Sequence, residues 1–240
     1  MCSHYQAVTA LERFERHFRT ALPSGVAVSD MWPTYPAPVV INQSGERQSI
    51  LARWGLIAST TRPNQFTSNN GKSNDGKLFS TKLSTFNARS ESVATSPTFG
   101  GAWAKGQRCI IPAEAVYEPD WRSGRHVPTR LQRADGQPLG IAGLWDSWAA
   151  PDGSAVLSFT MLTINAAAHP LMQHLHKPQD EKRMVVILQV GDYDEWLNAA
   201  PSANAANAAN AAKLLQSFPA DKLVAVSEPS QAIQDNPGLF

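Results

Sequence analysis

The chain has 240 residues, 42% of them hydrophobic and 17% charged, which predicts a soluble globular protein large enough to bury a substantial core. Its formal net charge of +1 excludes a polycation, so contact with nucleic acid requires a local basic patch. Two cysteines exclude a disulfide framework and a cysteine-rich metal finger, and the lack of a signal-peptide pattern or a bilayer-length apolar run favours a reducing cytoplasm without membrane association.

The pair Met1-Cys2 carries the most distinctive chemistry of the sequence. Because the Cys2 side chain is small, we expect Met1 to be removed, which leaves a free α-amine and a thiol on one residue. An amine condenses with an aldehyde to an imine, and the neighbouring thiol then closes a five-membered thiazolidine ring. The α-amine titrates near pH ~8 and thiolate attack depends on the thiol pKa, so both nucleophiles are available at cellular pH. By position alone, Cys2 also fits an incidental residue at a disordered terminus.

The first part of the chain predicts one helix, two strands and a long loop. Apolar residues at three- and four-residue steps indicate an amphipathic helix over residues 10–22, ended by Pro23 and Gly25. Prolines precede an apolar run in residues 32–41, which predicts an extended entry into a strand, and residues 50–57 predict a second strand. Residues 59–84 are rich in Asn, Ser, Thr, Gly and Lys and predict a polar surface loop, either functional or disordered.

The rest of the chain is dominated by strand patterns. Strands are predicted at residues 108–112, 115–118, 139–145, 155–163, 184–188 and 222–226, the first two separated by a short turn. A hairpin turn is predicted at 121–125, and helical spacing at 165–175 and 192–199. Residues 199–212 form an Ala/Asn-rich low-complexity segment whose alanines are equally compatible with a surface helix. Many strands, few helices and no clean linker predict one α/β (α+β) domain over residues 1–240, built around a curved, mainly antiparallel sheet.

Polar residues inside these patterns are candidates for chemistry, each with an alternative. Asn87 follows the polar loop, where Asn is common in turns. Arg89 and Glu91 could pair with each other on a strand surface. Glu118 alternates with apolar residues, so it either faces water or is a buried carboxyl with a shifted pKa. His176 has two histidines close by in sequence, but no His-Glu-x-x-His pattern accompanies them, and we predict no metal site.

Four separated motifs together resemble a known family. They are the amino-terminal Met-Cys, the Asn-Ala-Arg-x-Glu that begins at Asn87, a Cys-Ile-Ile-Pro strand leading to Tyr-Glu at Glu118, and a Leu-His at His176 ahead of Arg-Met-Val-Val-Ile-Leu. Their order resembles the SOS response-associated peptidase (SRAP) family, over residues 1 to about 226. The resemblance implies a single α/β domain with a β-barrel-like core and a basic groove for single-stranded DNA, with covalent attachment to abasic sites.

The same resemblance assigns roles to individual residues. It implies that Cys2 attacks the ring-opened C1′ aldehyde and that Asn87 positions the Cys2 backbone and the sugar. Glu118 would exchange protons near the α-amine, and His176 would protonate the sugar ring oxygen. The implied contacts with DNA are Arg89, which would bind phosphate, together with Arg53, Trp54 and Arg183. It implies no cofactor and no metal, a monomer, and abasic single-stranded DNA as the partner.

The chain departs from the family pattern in three places. Ser3-His4-Tyr5 stands where the family has Gly-Arg-Phe or Gly-Arg-Tyr, which removes a phosphate-binding arginine. The loop at 59–84 lacks the Trp pair that stacks on bases beside the lesion, and its three lysines (Lys72, Lys77 and Lys82) could substitute charge for stacking. The segment 177–182 is lengthened, which leaves His174 as the alternative to His176.

Two other functions remain compatible with the sequence. One is a peptidase that uses Cys2 as an amino-terminal nucleophile with Glu118 as base, of which self-removal of Met1 is a limited form. The other is a non-covalent reader of single-stranded or modified DNA, in which Cys2 is incidental.

Overall fold

A computed structural model describes residues 2–26, 28–62, 85–199, 201 and 205–227 of the chain. Its centre is a barrel of five strands, each hydrogen-bonded to two neighbours in a closed ring. In order around the barrel they are β3 (Pro36–Gln43), β4 (Glu46–Trp54), β9 (Ala155–Asn165), β8 (Leu139–Ala149) and β6 (Arg108–Asp120), which pairs again with β3. The β4–β9 pair is parallel and the other four are antiparallel. The prediction of a mainly antiparallel, barrel-like core is confirmed.

Six shorter strands in the described part of the chain extend this barrel. They are β1 (Tyr5–Ala7), β2 (Asp30–Met31), β5 (Asn87–Arg89), β7 (Val127–Arg133), β10 (Arg183–Val185) and β11 (Leu223–Ser227). The β1 strand lies between β2 and β6, while β5 and β10 both pair with β9. Because β1, β5 and β6 carry or adjoin the motif residues, the barrel brings together segments that are far apart in sequence.

Long apolar runs in these strands fill two cores. In β6, Ile111 belongs to the core inside the barrel and Ile110 to the core on its outer side, as the two-residue alternation of a strand requires. Both faces are therefore buried, and the run is continuously apolar. Gly143 in β8 permits the close approach of the strands, since an added Cβ would lie 2.4 Å from the Ile111 side chain and 2.6 Å from the Thr160 carbonyl oxygen.

Four α-helices lie among the described residues: α1 (Leu11–Phe18), α2 (Gly100–Lys105), α3 (Tyr193–Asn198) and α4 (Ala205–Lys213). Phe14 and Phe18 of α1 pack into the outer core. The helix ends at Phe18 rather than at Leu22, because Arg19 takes a left-handed conformation and its N–H caps the Glu15 carbonyl. The α4 helix confirms the helical alternative for the Ala/Asn-rich segment, and no helix in the described part is long and apolar enough to cross a membrane.

Several sequence predictions need correction. Residues 108–120 form one strand without an intervening turn, because β6 passes from β8 to β7 as its partner without leaving the sheet. The helix predicted over 165–175 is wrong; only a 3-10 turn, Met172–His174, forms there, and the His169 ring accepts hydrogen bonds from the Leu171 and Met172 amides. Helix α2 and strand β7 were not predicted. Of the polar loop, residues 63–84 lie outside the described residues, and its lysines with them.

Candidate active site

The amino terminus is held against the end of β6. Tyr5 in β1 is in register with Val116, and the Tyr117 N–H donates to the His4 carbonyl at 3.0 Å. This pairing places Cys2 beside the part of β6 that contains Glu118. The Cys2 side chain is 1% exposed, and its thiol donates to the His4 carbonyl at 3.3 Å. The terminus is thus an ordered part of the fold rather than an incidental tail.

Asn87 fixes the backbone of Cys2. It begins β5, whose parallel pairing with β9 sets Asn87 opposite Met161. The Asn87 side-chain amide donates to the Cys2 carbonyl at 2.6 Å. Its amide oxygen is buried and has no hydrogen-bond partner among the described residues, which costs on the order of 1–3 kcal/mol. An acceptor of this kind can receive a hydrogen bond from a bound substrate.

Glu118 and His176 form a buried pair, with the His176 Nδ1 3.4 Å from the Glu118 Oε2. Burial raises the pKa of Glu118 from 4.5 to about 7 and lowers the pKa of His176 from 6.5 to about 4. The His176 Nε2 lies 3.1 Å from the Arg183 carbonyl oxygen and must therefore carry a proton. Its Nδ1 is then the unprotonated nitrogen facing Glu118, so a protonated Glu118 can donate to it. Near neutral pH this pair holds one exchangeable proton, on the carboxyl.

The backbone around His176 is tied to β6. Its N–H donates to the Pro119 carbonyl at 2.7 Å, and Leu175 forms a β-bridge with Asp120. His176 has a φ of 64°, an unusual conformation for a residue other than glycine. His174, the alternative to His176, is exposed to solvent. The structure therefore places His176, not His174, against Glu118.

Together these residues form an amino-terminal cluster of Cys2, Asn87, Glu118 and His176. It combines a thiol, a backbone-holding amide and a carboxyl that can gain and lose a proton near neutral pH. Burial, and next the negative charge of Glu118, raise the pKa of the Cys2 thiol well above its usual range. That thiol is therefore protonated at neutral pH and needs a base when it reacts, which corrects the expectation that both nucleophiles of Cys2 are available at cellular pH. No group of His, Cys, Asp and Glu that could hold a metal ion is found among the described residues.

The predicted DNA contacts fall into different environments. The Arg89 side chain is 52% exposed and forms an ion pair with Glu181 at 2.6 Å. Arg53 is partly buried, and its guanidinium donates to the Gly55 carbonyl at 2.7 Å. Trp54 has no exposed surface, and its indole N–H donates to the Phe86 carbonyl at 2.9 Å, so the expectation that it touches DNA does not fit its position.

Arg183 is also buried, with a side chain that is 1% exposed. Its five N–H groups donate to Glu91, Glu181 and the hydroxyl and carbonyl oxygens of Thr163. No donor is left for a phosphate, so this position does not support the expected DNA contact. The alternative pairing of Arg89 with Glu91 is replaced by Arg89–Glu181 and Arg183–Glu91.

Sequence reasoning missed a stack of rings beside the cluster. His4 lies between Trp32 and Tyr117 with its ring parallel to both, and its Nε2 is 2.8 Å from Asp30. The available signal was adjacency, since His4 is two residues from Cys2 and Tyr117 directly precedes Glu118. The partner Trp32 could not be found without the strand pairing.

Comparison with known proteins identifies the family of this chain. The model of the family described as SOS response associated peptidase (SRAP) matches residues 1–233. The chain belongs to the SRAP family. Among its relatives, the abasic site processing protein YoqW of Bacillus subtilis is 27% identical over 196 residues, 80% of this SRAP chain and 75% of that protein. The abasic site processing protein HMCES of Gallus gallus is 28% identical over 178 residues, 65% of this chain and 47% of that protein.

Solved structures share this fold. The crystal structure of a Bordetella bronchiseptica protein matches the SRAP chain with a TM-score of 0.81 and 45% identity, covering 95% of this chain and all of that one. A Bacteroides thetaiotaomicron protein matches with a TM-score of 0.74 at 20% identity, which shows a shared fold.

Proposed function

We propose that this SRAP protein binds single-stranded DNA and attaches itself to abasic sites through Cys2. The observation that supports the proposal most directly is the amino-terminal cluster, in which the thiol lies beside a carboxyl with a pKa of about 7. Two relatives are abasic site processing proteins by name, which supplies the substrate class. An abasic sugar in its ring-opened form carries an aldehyde at C1′, the group with which an amine and a neighbouring thiol react.

The proposed reaction begins after Met1 has been removed. The unprotonated Cys2 amine attacks C1′, and the resulting carbinolamine loses water to give an imine. The thiol sulfur then adds to the imine carbon while the nitrogen gains the thiol proton. The product is a thiazolidine, and one water is released in total. The hydrogen bond from Asn87 to the Cys2 carbonyl holds the backbone of the nucleophile during these steps.

Glu118 is suited to move the protons. A general acid or base works best when its pKa is close to the working pH, and the Glu118 pKa of about 7 meets that condition. As carboxylate it accepts the proton of the buried thiol, and as acid it protonates the departing hydroxyl. Since the pKa of His176 is lowered to about 4, its imidazole is neutral at pH 7. We therefore assign His176 to relay a proton with Glu118 during ring opening, rather than to act as a cationic acid.

A peptidase function is the second candidate, because Glu118 is placed to act as a base for Cys2 and the family name includes peptidase. Its limited form is removal of Met1 by the site itself. The raised thiol pKa favours a reaction at the imine over attack on an unactivated peptide. A Glu118→Gln protein that retains Met1, measured by intact mass, alongside wild-type protein that lacks it, would support self-processing.

The covalent proposal is tested with an abasic single-stranded oligonucleotide and denaturing gels. Cys2→Ala should give no heat-stable protein–DNA band, because an imine without the thiol stays hydrolysable, and Cys2→Ser should behave nearly the same. The intact mass of the wild-type product should equal protein plus oligonucleotide minus one water. Cys109→Ala is the matched control, since that thiol is buried in the barrel. A heat-stable band with either Cys2 variant contradicts the thiazolidine.

A further inference from the structure

Three rings form a parallel stack next to Cys2. The His4 ring lies 4.2 Å from Trp32 and 4.1 Å from Tyr117 between centroids, at interplanar angles of 6° and 8°. The His4 carbonyl accepts both the Cys2 thiol and the Tyr117 amide. Since His4 is two residues from Cys2 and Tyr117 directly precedes Glu118, the backbone segments that carry the reactive groups also carry two of the three rings.

Trp32 forms an open end of the ring stack. It is 45% exposed, although His4 covers one of its faces. The exposed surface therefore belongs to its other face and its edges. Tyr35, at the end of the same turn, is 43% exposed. An aromatic face open to solvent beside a reactive cluster offers a surface on which a planar ligand group can stack.

The turn that carries Trp32 is fixed to the barrel. The Thr34 N–H donates to the Trp54 carbonyl at 2.7 Å, and the Trp54 N–H donates to the Tyr35 carbonyl at 2.9 Å. Trp54 is wholly buried, so both bonds hold the turn to the core. Trp54, which we expected to contact DNA, instead holds the turn that carries the exposed Trp32 ring. A platform fixed in advance loses little conformational entropy when a ligand stacks on it.

The geometry points to Trp32 as the platform for the nucleobase adjacent to the abasic sugar, an inference that rests on the proposed function. An abasic nucleotide lacks a base, so the neighbouring base has one face without a stacking partner. The backbone of His4 is at most about 7 Å along the chain from that of Cys2, which keeps the platform close to the bound sugar. A base on Trp32 would add a fourth ring to the stack. Every base has such a face, so the platform accepts any sequence.

The test uses an oligonucleotide with a tetrahydrofuran abasic analogue, which has no aldehyde and cannot crosslink. A fluorescent 2-aminopurine is placed on its 5′ or its 3′ side, and binding and quenching are measured together. With wild-type protein one of the two positions should be quenched. Trp32→Leu should abolish the quenching and weaken binding by roughly 5- to 150-fold, the range for one base stacked on an aromatic ring. Trp32→Phe should retain most of both.

A second abasic analogue in place of the neighbouring base identifies the contact. This change should weaken DNA binding by wild-type protein by the same factor as the Trp32→Leu substitution does. It should not weaken binding by the Trp32→Leu protein any further. Leu11→Ala is the control, because it removes an exposed apolar side chain from α1. Equal affinity of wild type and Trp32→Leu, or a Trp32 effect that persists without the neighbouring base, overturns the inference. So does a change in oligomeric state by light scattering with no change in affinity, which would assign this face to a second copy.

These outcomes are separable from failure of the crosslink. If wild-type protein shows the quenching and the Trp32 effect but forms no covalent product with a true abasic site, the platform stands and the thiazolidine fails.

Discussion

At the scale of single residues, the proton transfer that we propose for the amino-terminal cluster depends on two opposite effects of burial. Desolvation favours the neutral form of each group, so it raises the pKa of the Glu118 acid and lowers the pKa of the His176 base. The pair is consequently neutral between about pH 4 and pH 7, with one proton on the carboxyl. A neutral pair can be buried at modest cost, and it can still give or take a proton when the substrate arrives.

Substitutions of His176 and of Glu118 should slow the reactions of different substrates. His176→Ala should slow crosslinking to abasic DNA by about 10²–10⁴-fold, because the sugar must be opened, and should affect a small free aldehyde much less. Glu118→Gln should slow both reactions, because both require proton transfer at Cys2. Single-turnover rates with both substrates measure this. Exposed His174→Ala is the control, and a ring-opening defect in that variant alone would contradict the assignment of His176.

The Glu118 carboxyl should also make the free energy of unfolding depend on pH. Its folded pKa of about 7 exceeds the ordinary value of 4.5, so its contribution is fully present below pH 4.5 and is lost as pH rises through 7. The full effect is on the order of 3 kcal/mol. For His176 the direction is reversed, and its contribution is lost as pH falls from 6.5 through 4. Urea unfolding of Glu118→Gln should therefore show a smaller decline in unfolding free energy between pH 5 and 8 than wild type. Equal declines would contradict the shift.

At the scale of elements, the lengthened segment 177–182 supplies a carboxylate to two arginines. Glu181 pairs with exposed Arg89 at 2.6 Å and with buried Arg183 at 2.8 Å. Arg183 is also bonded to Glu91, whose pKa it lowers to about 2. Arg183 therefore holds β10 to Glu91 and Glu181. Arg89 faces solvent, and a phosphate could replace Glu181 as its partner.

We expect Arg183 to contribute mainly to the free energy of unfolding and Arg89 mainly to DNA binding. Arg183→Met should lower the unfolding free energy by about 2 kcal/mol or more, since it removes five hydrogen bonds from a buried site. Arg89→Met should change it by less than about 1 kcal/mol, as for other exposed ion pairs, but should weaken DNA binding. Glu181→Gln should strengthen binding by releasing Arg89. Denaturation and oligonucleotide titration of the three variants check this, and a stability loss from Arg89→Met equal to that from Arg183→Met would refute it.

The elements also show what the sequence could predict. Alternation and apolar runs located most strands of the barrel, and the motif order located all members of the amino-terminal cluster. Local patterns could not show that β6 continues through Pro112, because the continuation depends on exchanging β8 for β7 as partner. Nor could alternation decide whether Glu118 faces water, since that depends on His176 and Cys2, distant in sequence, packing against its side chain. Trp54 and Arg183 were predicted to contact DNA, whereas tertiary packing buried both.

At the scale of the whole molecule, closure of the barrel gives the amino-terminal cluster a rigid support. The cluster draws its members from the amino terminus, β5, β6 and the segment before β10, which are separated by up to 174 positions from Cys2 to His176. Each is fixed by pairing to a barrel strand, directly or through a backbone hydrogen bond. Loss of barrel packing should therefore impair the site as a unit.

Because the net charge of +1 gives the whole molecule little attraction for DNA, we expect affinity to depend on two kinds of local contact, with phosphates and with stacked bases. Each phosphate neutralised on a single strand contributes about 0.7 to the slope of log affinity against log salt, whereas stacking contributes nothing to it. Arg89→Ala should therefore reduce the magnitude of that slope by about 0.7, and Trp32→Leu should lower affinity equally at every salt concentration. Titrations of an abasic-analogue oligonucleotide from low to moderate salt measure both. An unchanged slope in Arg89→Ala would remove Arg89 from the phosphate contacts, and a reduced slope in Trp32→Leu would show that the variant disturbs the charged surface rather than a stacked base.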